Sequence, residues 1–308
     1  MKLPLVLNSL YRVLAQNMPE CIKPTLRGWY NELNKIMTYG YRNKDIFTAL
    51  DFEINSHCNL ECSYCPASFK NGRGKKLMPY ETFKKAIDDL SVINYSGRIS
   101  PHFFGEPLLD ERLPELMSYA RKKLPHAEII IHTNGIRLSK DKYDSCMEAG
   151  VTGFLVTKHT KQMPKNIVDI VESKHAKHGT IKIRSIDSLT LFNRGGSVKP
   201  KKERKMKRCY YLSDEISITH SGNVVCTNDF GETHVFGNVN NANLLDIWND
   251  KEFKKVRKEI RKGIFNLEMC KKCVGYLGFN IIFIVAIPLS SSVTESRIIT
   301  SSVPASGI

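Results

Sequence analysis

Cys58-Asn-Leu-Glu-Cys62-Ser-Tyr-Cys65 places three thiols within one short loop, directly after the alternating apolar run Ala49-Leu-Asp-Phe-Glu-Ile-Asn55. The run reads as a strand, so the cysteines fall on the loop that leaves its carboxyl end. Structural zinc closes a tetrahedron with four protein ligands, and three thiolates do not close one. On a four-iron cube, three thiolates leave one iron open to bind something else.

Outward from this loop, strands and helices alternate. Pro79–Leu90 starts on proline and keeps apolar residues three and four apart, as a helix does. Arg98–Phe104 reads as a second strand ending at Gly105, and Arg112–Lys123 as a helix. Glu128–His132 is a strand that turns at Thr133-Asn134-Gly135, and Asp141–Ala149 is a helix closed by Gly150. Gly153–Thr157 and Thr180–Arg184 are further strands around a helix over 164–178, and Leu189–Phe192 continues the pattern. About six βα units then fit between 49 and 194, too few for an eight-unit barrel of ~250 residues. The expected fold is α/β, a partial (β/α)6 barrel like an open TIM barrel. Ligands in such folds sit at the carboxyl ends of the strands, where the cysteine loop lies.

After Lys199 the character changes. Glu215–Cys226 reads as a hairpin turned at Ser221-Gly222, and Leu244–Asn249 and Phe253–Ile264 as helices. Cys209, Cys226, Cys270 and Cys273 form a second cysteine set, and Cys270-Lys-Lys-Cys273 is a generic metal knuckle that suits zinc or iron. Cys21 and Cys146 stand alone and read as inert thiols. The chain divides into a helical extension (1–45, broken at Pro4, Pro19 and Pro24), a barrel (46–198), a small cysteine-bearing domain (199–275) and a tail (276–308) outside the functional fold. The tail's apolar run, Phe279–Ile287, is shorter than the ~20 residues that span a bilayer as a helix.

The 308 residues carry a net charge of +15, much of it in two runs. Lys199–Arg208 holds seven Lys/Arg against one Glu, and Lys251–Lys262 seven against two. Both read as solvated surface, and the first lacks the interleaved aromatics of single-strand binding. Neither a nucleic-acid nor a membrane partner is expected. Seven of nine cysteines sit in clusters or at metal-like spacings, which fits a reducing cytoplasm and not a disulfide scaffold. The apolar run at the N-terminus is too short for a signal peptide.

The C-x3-C-x2-C spacing after a strand, with Phe103-Phe-Gly-Glu-Pro107 one βα unit later, resembles the radical S-adenosylmethionine (SAM) superfamily. The resemblance implies that Cys58, Cys62 and Cys65 hold a [4Fe-4S] cluster whose open iron chelates SAM. Gly105 and Glu106 would receive the SAM ammonium group, and Tyr64 would lie near the adenine. Thr133, Asn134 and Thr157 would be ribose or carboxylate contacts.

Residues 209–273, with Phe236-Gly-Asn-Val239, Leu244-Leu-Asp-Ile-Trp-Asn249, Phe253 and Arg257 between the cysteines, resemble the twitch or SPASM auxiliary-cluster domain. Its second [4Fe-4S] cluster, fully ligated by Cys209, Cys226, Cys270 and Cys273, implies electron transfer. Glu53–Cys58, Gly97–Leu109, Val156–His159 and Asn193-Arg-Gly-Gly196 resemble SAM-dependent cyclitol dehydrogenases. That likeness implies reductive cleavage of SAM to a 5′-deoxyadenosyl radical and hydrogen abstraction from a sugar- or cyclitol-like alcohol. The auxiliary cluster would take the electron, and a flavodoxin- or ferredoxin-type donor would supply the first one. Arg194 would contact the substrate or take its proton; an arginine stays charged, so binding and charge stabilisation suit it better. Phe104 and Thr227-Asn228 depart from the tyrosine and acidic residue that the resemblance implies. Two alternatives stand beside this reading: a radical SAM enzyme that modifies peptides or proteins, and, in another class, a zinc-stabilised nucleic-acid-binding protein.

Overall fold

The computed structural model describes residues 45–68, 74–160, 162–188, 191–199 and 207–273, with scattered positions between 11 and 37. The tail, most of the 1–45 extension, Cys21 and most of the first basic run lie outside the described residues.

Five parallel strands come from the first half: β1 (Ala49–Phe52), β2 (Arg98–Ser100), β3 (Glu128–Thr133), β4 (Gly153–Lys158) and β5 (Ile181–Ser185). The sixth parallel strand is not the stretch at Leu189–Phe192. It is β6 (Glu215–Ile218), which pairs with the free side of β1, so that Leu50 lies opposite both Ile99 and Ile216. Residues 189 and 190 lie outside the described ones, and Phe192 serves another purpose: its ring packs edge-on against Tyr211 at 5.1 Å and walls a cavity. The expected hairpin is present, with β7 (Asn223–Val225) antiparallel to β6, and β8 (Gly237–Asn238) follows in one eight-stranded sheet ordered 5-4-3-2-1-6-7-8.

Burial on both faces explains the composition of these strands. All four residues of β1 are buried, and Ile99, Ile129, Ile131, Phe154, Val156, Ile216 and Ile218 continue its layer. Helices α1 (Tyr80–Ser91), α2 (Leu113–Lys123), α3 (Lys140–Glu148) and α4 (Lys165–Glu172) follow the strands. In α1, Phe83, Ala86, Ile87 and Leu90 form one buried stripe, and in α2 Leu113, Leu116, Met117 and Ala120 form another. Each large apolar side chain buried this way contributes about 1.5–3 kcal/mol. Cys146 lies inside this core, where burial pushes its thiol up to about 12, as an inert residue requires.

The later segment adds α5 (Tyr211–Asp214), α6 (Leu244–Asn249), α7 (Lys251–Lys262) and α8 (Glu268–Cys273). Its aromatic pattern is a packing device. Arg257 is buried, donates from Nη1 to the Trp248 carbonyl at 2.8 Å and stacks on the indole at 3.6 Å. The indole N–H reaches the Asp45 carbonyl at 2.7 Å, and Phe236 stacks on Phe253 at 3.8 Å. The second basic run is the solvent face of α7, with Lys251, Lys254, Lys255, Lys258 and Lys262 exposed. Helix α7 ends at Gly263 in the left-handed region (φ +86°), where a Cβ would stand 2.4 Å from the Lys207 carbonyl oxygen. That close approach seats Cys209, whose N–H donates to the Ile260 carbonyl at 2.9 Å.

Candidate active site

The ends of five consecutive parallel strands, β1 to β5, converge on a cavity of about 200 Å³ lined by Cys58, Cys62 and Cys65. The cysteine loop leaves β1 under the control of Asn55. Its Oδ1 accepts from the His57 N–H and its Nδ2 donates to the Glu106 carbonyl, each at 2.8 Å. The Glu106 N–H returns to the His57 carbonyl at 2.8 Å. The loops after β1 and β2 are thereby laced together. Gly105 permits the contact, because a Cβ there would lie 2.1 Å from the Asn55 carbonyl oxygen.

Glu106 is buried beside the cysteines. Its carboxylate accepts from Thr133 Oγ1 at 2.6 Å, the Asn134 N–H at 2.8 Å and the Leu108 N–H at 3.2 Å. Burial raises its pKa from the usual range, and those three donors oppose the rise. Asn134 also reaches the cysteine loop, donating to Asn59 Oδ1 at 2.9 Å and approaching Cys58 Sγ at 4.0 Å. Thr157, on β4, accepts from Arg184 Nε at 2.9 Å. The Tyr64 hydroxyl and His159 Nδ1 meet at 2.5 Å, with Cys62 Sγ 3.8 Å from the same nitrogen. Every cavity residue singled out in the sequence, Tyr64, Gly105, Glu106, Thr133, Asn134, Thr157 and Arg194, lines this one space.

Sequence reasoning missed several residues here. Asn55 orders the cysteine loop, and Arg184 and His159 line the cavity. His102 and His132 form its floor with rings 4.2 Å apart, and His102 Nδ1 is buried without a hydrogen-bond partner, 4.0 Å from Asp51. Burial, then the charges of Arg98, Arg184 and Arg194, hold His102 down at about 3. Asn55, His102 and His159 fall inside the stretches that carry the resemblance but are not marked there as site residues, and His132 and Arg184 signal themselves only by position at a strand end.

The second cysteine set also assembles. Burial raises the Cys226 thiol well above its ordinary range, and Cys209, Cys273 and Cys270 each raise it further. Burial, then Cys209 and Cys273, push Cys270 up to about 12. In the first set, burial pushes Cys58 up to about 11, with Glu106, Cys65 and Cys62 adding to the rise, and burial raises Cys65 as well. Buried thiols that act on one another across the chain suit a soft metal centre, which displaces their protons on binding. Among the described residues, no three His, Cys, Asp or Glu side chains converge as a single ion requires. In a four-iron cube each thiolate takes its own iron, so the thiols stand apart.

Arg194 joins the two sets. It lies in the left-handed region (φ 52°), followed by Gly195 and Gly196 at φ 66° and 87°. Asn193 Nδ2 anchors this turn to the Lys272 carbonyl at 2.7 Å, inside the Cys270–Cys273 knuckle. Arg194 Nη1 donates to Asn228 Oδ1 at 2.9 Å, two residues after Cys226, and its guanidinium lies 5.4 Å from the Phe104 ring centre.

Residues 52–160 match the radical SAM superfamily, and residues 209–274 match an iron–sulfur cluster-binding (SPASM) domain. The chain belongs to the radical SAM superfamily and is a radical SAM enzyme of oxidoreductase type, with an auxiliary-cluster domain. It uses SAM and two [4Fe-4S] clusters. The chain is 32% identical over 234 residues to the S-adenosyl-L-methionine-dependent 2-deoxy-scyllo-inosamine dehydrogenase of Niallia circulans, covering 74% of this chain and 93% of that one. The crystal structure of BtrN with AdoMet and 2-DOIA aligns with a TM-score of 0.68 at 30% identity, over 74% of this chain and 93% of that one. An Fe-coproporphyrin III synthase of Methanosarcina barkeri is 32% identical over 115 residues, 36% of this chain and 27% of that one. No helix among the described residues is long and apolar enough to cross a membrane.

Proposed function

We propose that the enzyme oxidises a carbinol carbon of a small sugar- or cyclitol-like alcohol to a ketone, with the second cluster as electron acceptor. The observation that carries this reading is Arg194, one side chain that faces the SAM cavity and hydrogen-bonds the loop after Cys226. A substrate held there lies between the group that starts the reaction and the group that ends it. The dehydrogenase relative acts on 2-deoxy-scyllo-inosamine, a cyclitol, and its coverage of 93% supports the same reaction class here.

When bound, SAM and the first cluster supply a 5′-deoxyadenosyl radical that removes a hydrogen atom from the substrate. The remaining work falls to side chains. Cys58, Cys62 and Cys65 hold the first cluster, and Cys209, Cys226, Cys270 and Cys273 the second. Glu106, kept in place by Thr133 and Asn134, receives the SAM ammonium group on its remaining lone pair. Thr157 and Arg184, already hydrogen-bonded, offer a hydroxyl and a cation to the methionine carboxylate. Tyr64, braced by His159, borders the adenine. Phe103, Phe104, Val225 and Phe230 pack as one apolar wall against Cys65 and exclude water from the radical. Arg194 binds the substrate and orients its alcohol beside the loop after Cys226.

The barrel over 46–198 and the auxiliary segment over 199–275 divide the labour in the same way. The basic face of α7 suits an acidic one-electron carrier of flavodoxin or ferredoxin type, and a reducing cytoplasm keeps the seven thiols ready for iron. The test is anaerobic turnover with reductant, SAM, 2-deoxy-scyllo-inosamine and its deaminated cyclitol counterparts. The expected result is ketone and 5′-deoxyadenosine in equal amounts from at least one cyclitol. SAM cleavage with no alcohol oxidised overturns the reading.

A further inference from the structure

Two guanidiniums and one carboxylate, Glu106, line the cavity. Arg184 and Arg194 both line it, and the hydrogen bonds each makes run to neutral partners, Thr157 and Asn228. Among the described residues, neither forms an ion pair with a carboxylate. The nearby acids are engaged elsewhere. Glu106 accepts three hydrogen bonds and faces the SAM side. Asp51 lies behind His102 and is bridged by Arg98 at 3.3 Å, which also reaches Glu215 at 3.4 Å. Asp187 is exposed near the rim and accepts from Ser185. His102 and His132 complete the floor, and burial, reinforced by the surrounding cations, keeps both below the usual histidine range and neutral at pH 7.

A half-buried guanidinium without an acid partner is poorly solvated and repels a second cation. It is also the donor geometry that fits a carboxylate or phosphate in a fork. With Arg184 assigned to the methionine end of SAM, Arg194 is left for the substrate.

We propose that Arg194 is the counter-ion of an oxyanion on the substrate, a carboxylate or phosphate carried by the same small polyol whose alcohol is oxidised, and that the cavity rejects an ammonium there. This rests on the dehydrogenase reading above. His102 and His132 then serve as neutral hydrogen-bonding groups for the polyol hydroxyls. Replacing Asn228 with an acid would neutralise Arg194 and reverse the preference.

The test uses the holoenzyme, reconstituted with iron and loaded with SAM, and four cyclitols that differ only in one substituent: ammonium, hydroxyl, carboxylate or phosphate. Calorimetric titration gives affinities independently of turnover, and ketone formation is followed in parallel. One oxyanion member is expected to bind at least tenfold more tightly than the hydroxyl member, with the ammonium member weakest; which oxyanion wins identifies the source. Arg194→Gln is expected to erase that order, Arg194→Lys to keep part of it, and Asn228→Glu to shift it at least tenfold toward the ammonium member. An ammonium member bound as tightly as the best oxyanion overturns the proposal, as does the absence of any oxyanion advantage. An Arg194→Gln variant that weakens all four members equally also overturns it. Ketone formed without an oxyanion preference leaves the dehydrogenase reading standing and removes only this assignment. An oxyanion preference in binding with no ketone from any member does the reverse.

Discussion

Glu106 carries two duties on one carboxylate, fixing the end of β3 and presenting charge to the cavity. Glu106→Gln keeps the shape, removes the charge and turns one acceptor into a donor against Thr133 or Asn134. SAM affinity is expected to fall at least tenfold, which corresponds to about 1.4 kcal/mol. Titration of the reconstituted variant with SAM checks this; unchanged affinity would reassign Glu106 to loop structure alone. Gly105→Ala places a methyl 2.1 Å from the Asn55 carbonyl oxygen and must push the two loops apart. Loss of detectable SAM cleavage with the late cluster retained is expected, read by 5′-deoxyadenosine release and iron analysis. The cysteines and Gly105-Glu106 were legible in the sequence because spacing and order along the chain define them. His102, His132, Arg184 and Asn55 were not. Each is an isolated polar residue in the sequence, and only the meeting of neighbouring strand ends gives it partners.

Among elements, the helices and the five early strands follow from their periodicity. The sixth parallel strand does not, because the β6 hairpin signals itself locally while its pairing with β1 joins residues more than 150 apart in the chain. The helix α7 and its end show how an element fixes a ligand. Gly263→Ala imposes a left-handed conformation on an L-residue, about 1–2 kcal/mol in itself, and drives its Cβ toward the Lys207 carbonyl. The segment that carries Cys209 must then shift. A lower melting temperature and partial loss of late-cluster iron are expected, with the first cluster intact; calorimetry and iron analysis measure both. A stable variant with full iron content would show that Cys209 is seated by other contacts.

Across the whole molecule, one sheet links the two cysteine sets, since the Cys58–Cys65 loop leaves β1 and Cys226 directly follows β7. β1 stands between the barrel strands and the hairpin strands, and the cysteine loop leaves from it. The loop after Cys226 reaches back to the cavity through Asn228 on Arg194 and through Phe230, edge-on to Phe104 at 4.8 Å. That arrangement supports the net oxidation proposed above, in which one site starts a radical and a neighbouring closed site takes an electron away. The division of labour is tested most directly by comparing two variants after anaerobic reconstitution, counting iron and 5′-deoxyadenosine together. The native enzyme is expected to bind about eight irons per chain and release 5′-deoxyadenosine on reduction with SAM. Replacing Cys58, Cys62 and Cys65 with Ala is expected to leave about four irons and no cleavage, while Cys270→Ser loses late-cluster iron and still cleaves SAM. Zinc in place of iron, or cleavage that survives loss of the first three cysteines, would contradict the account.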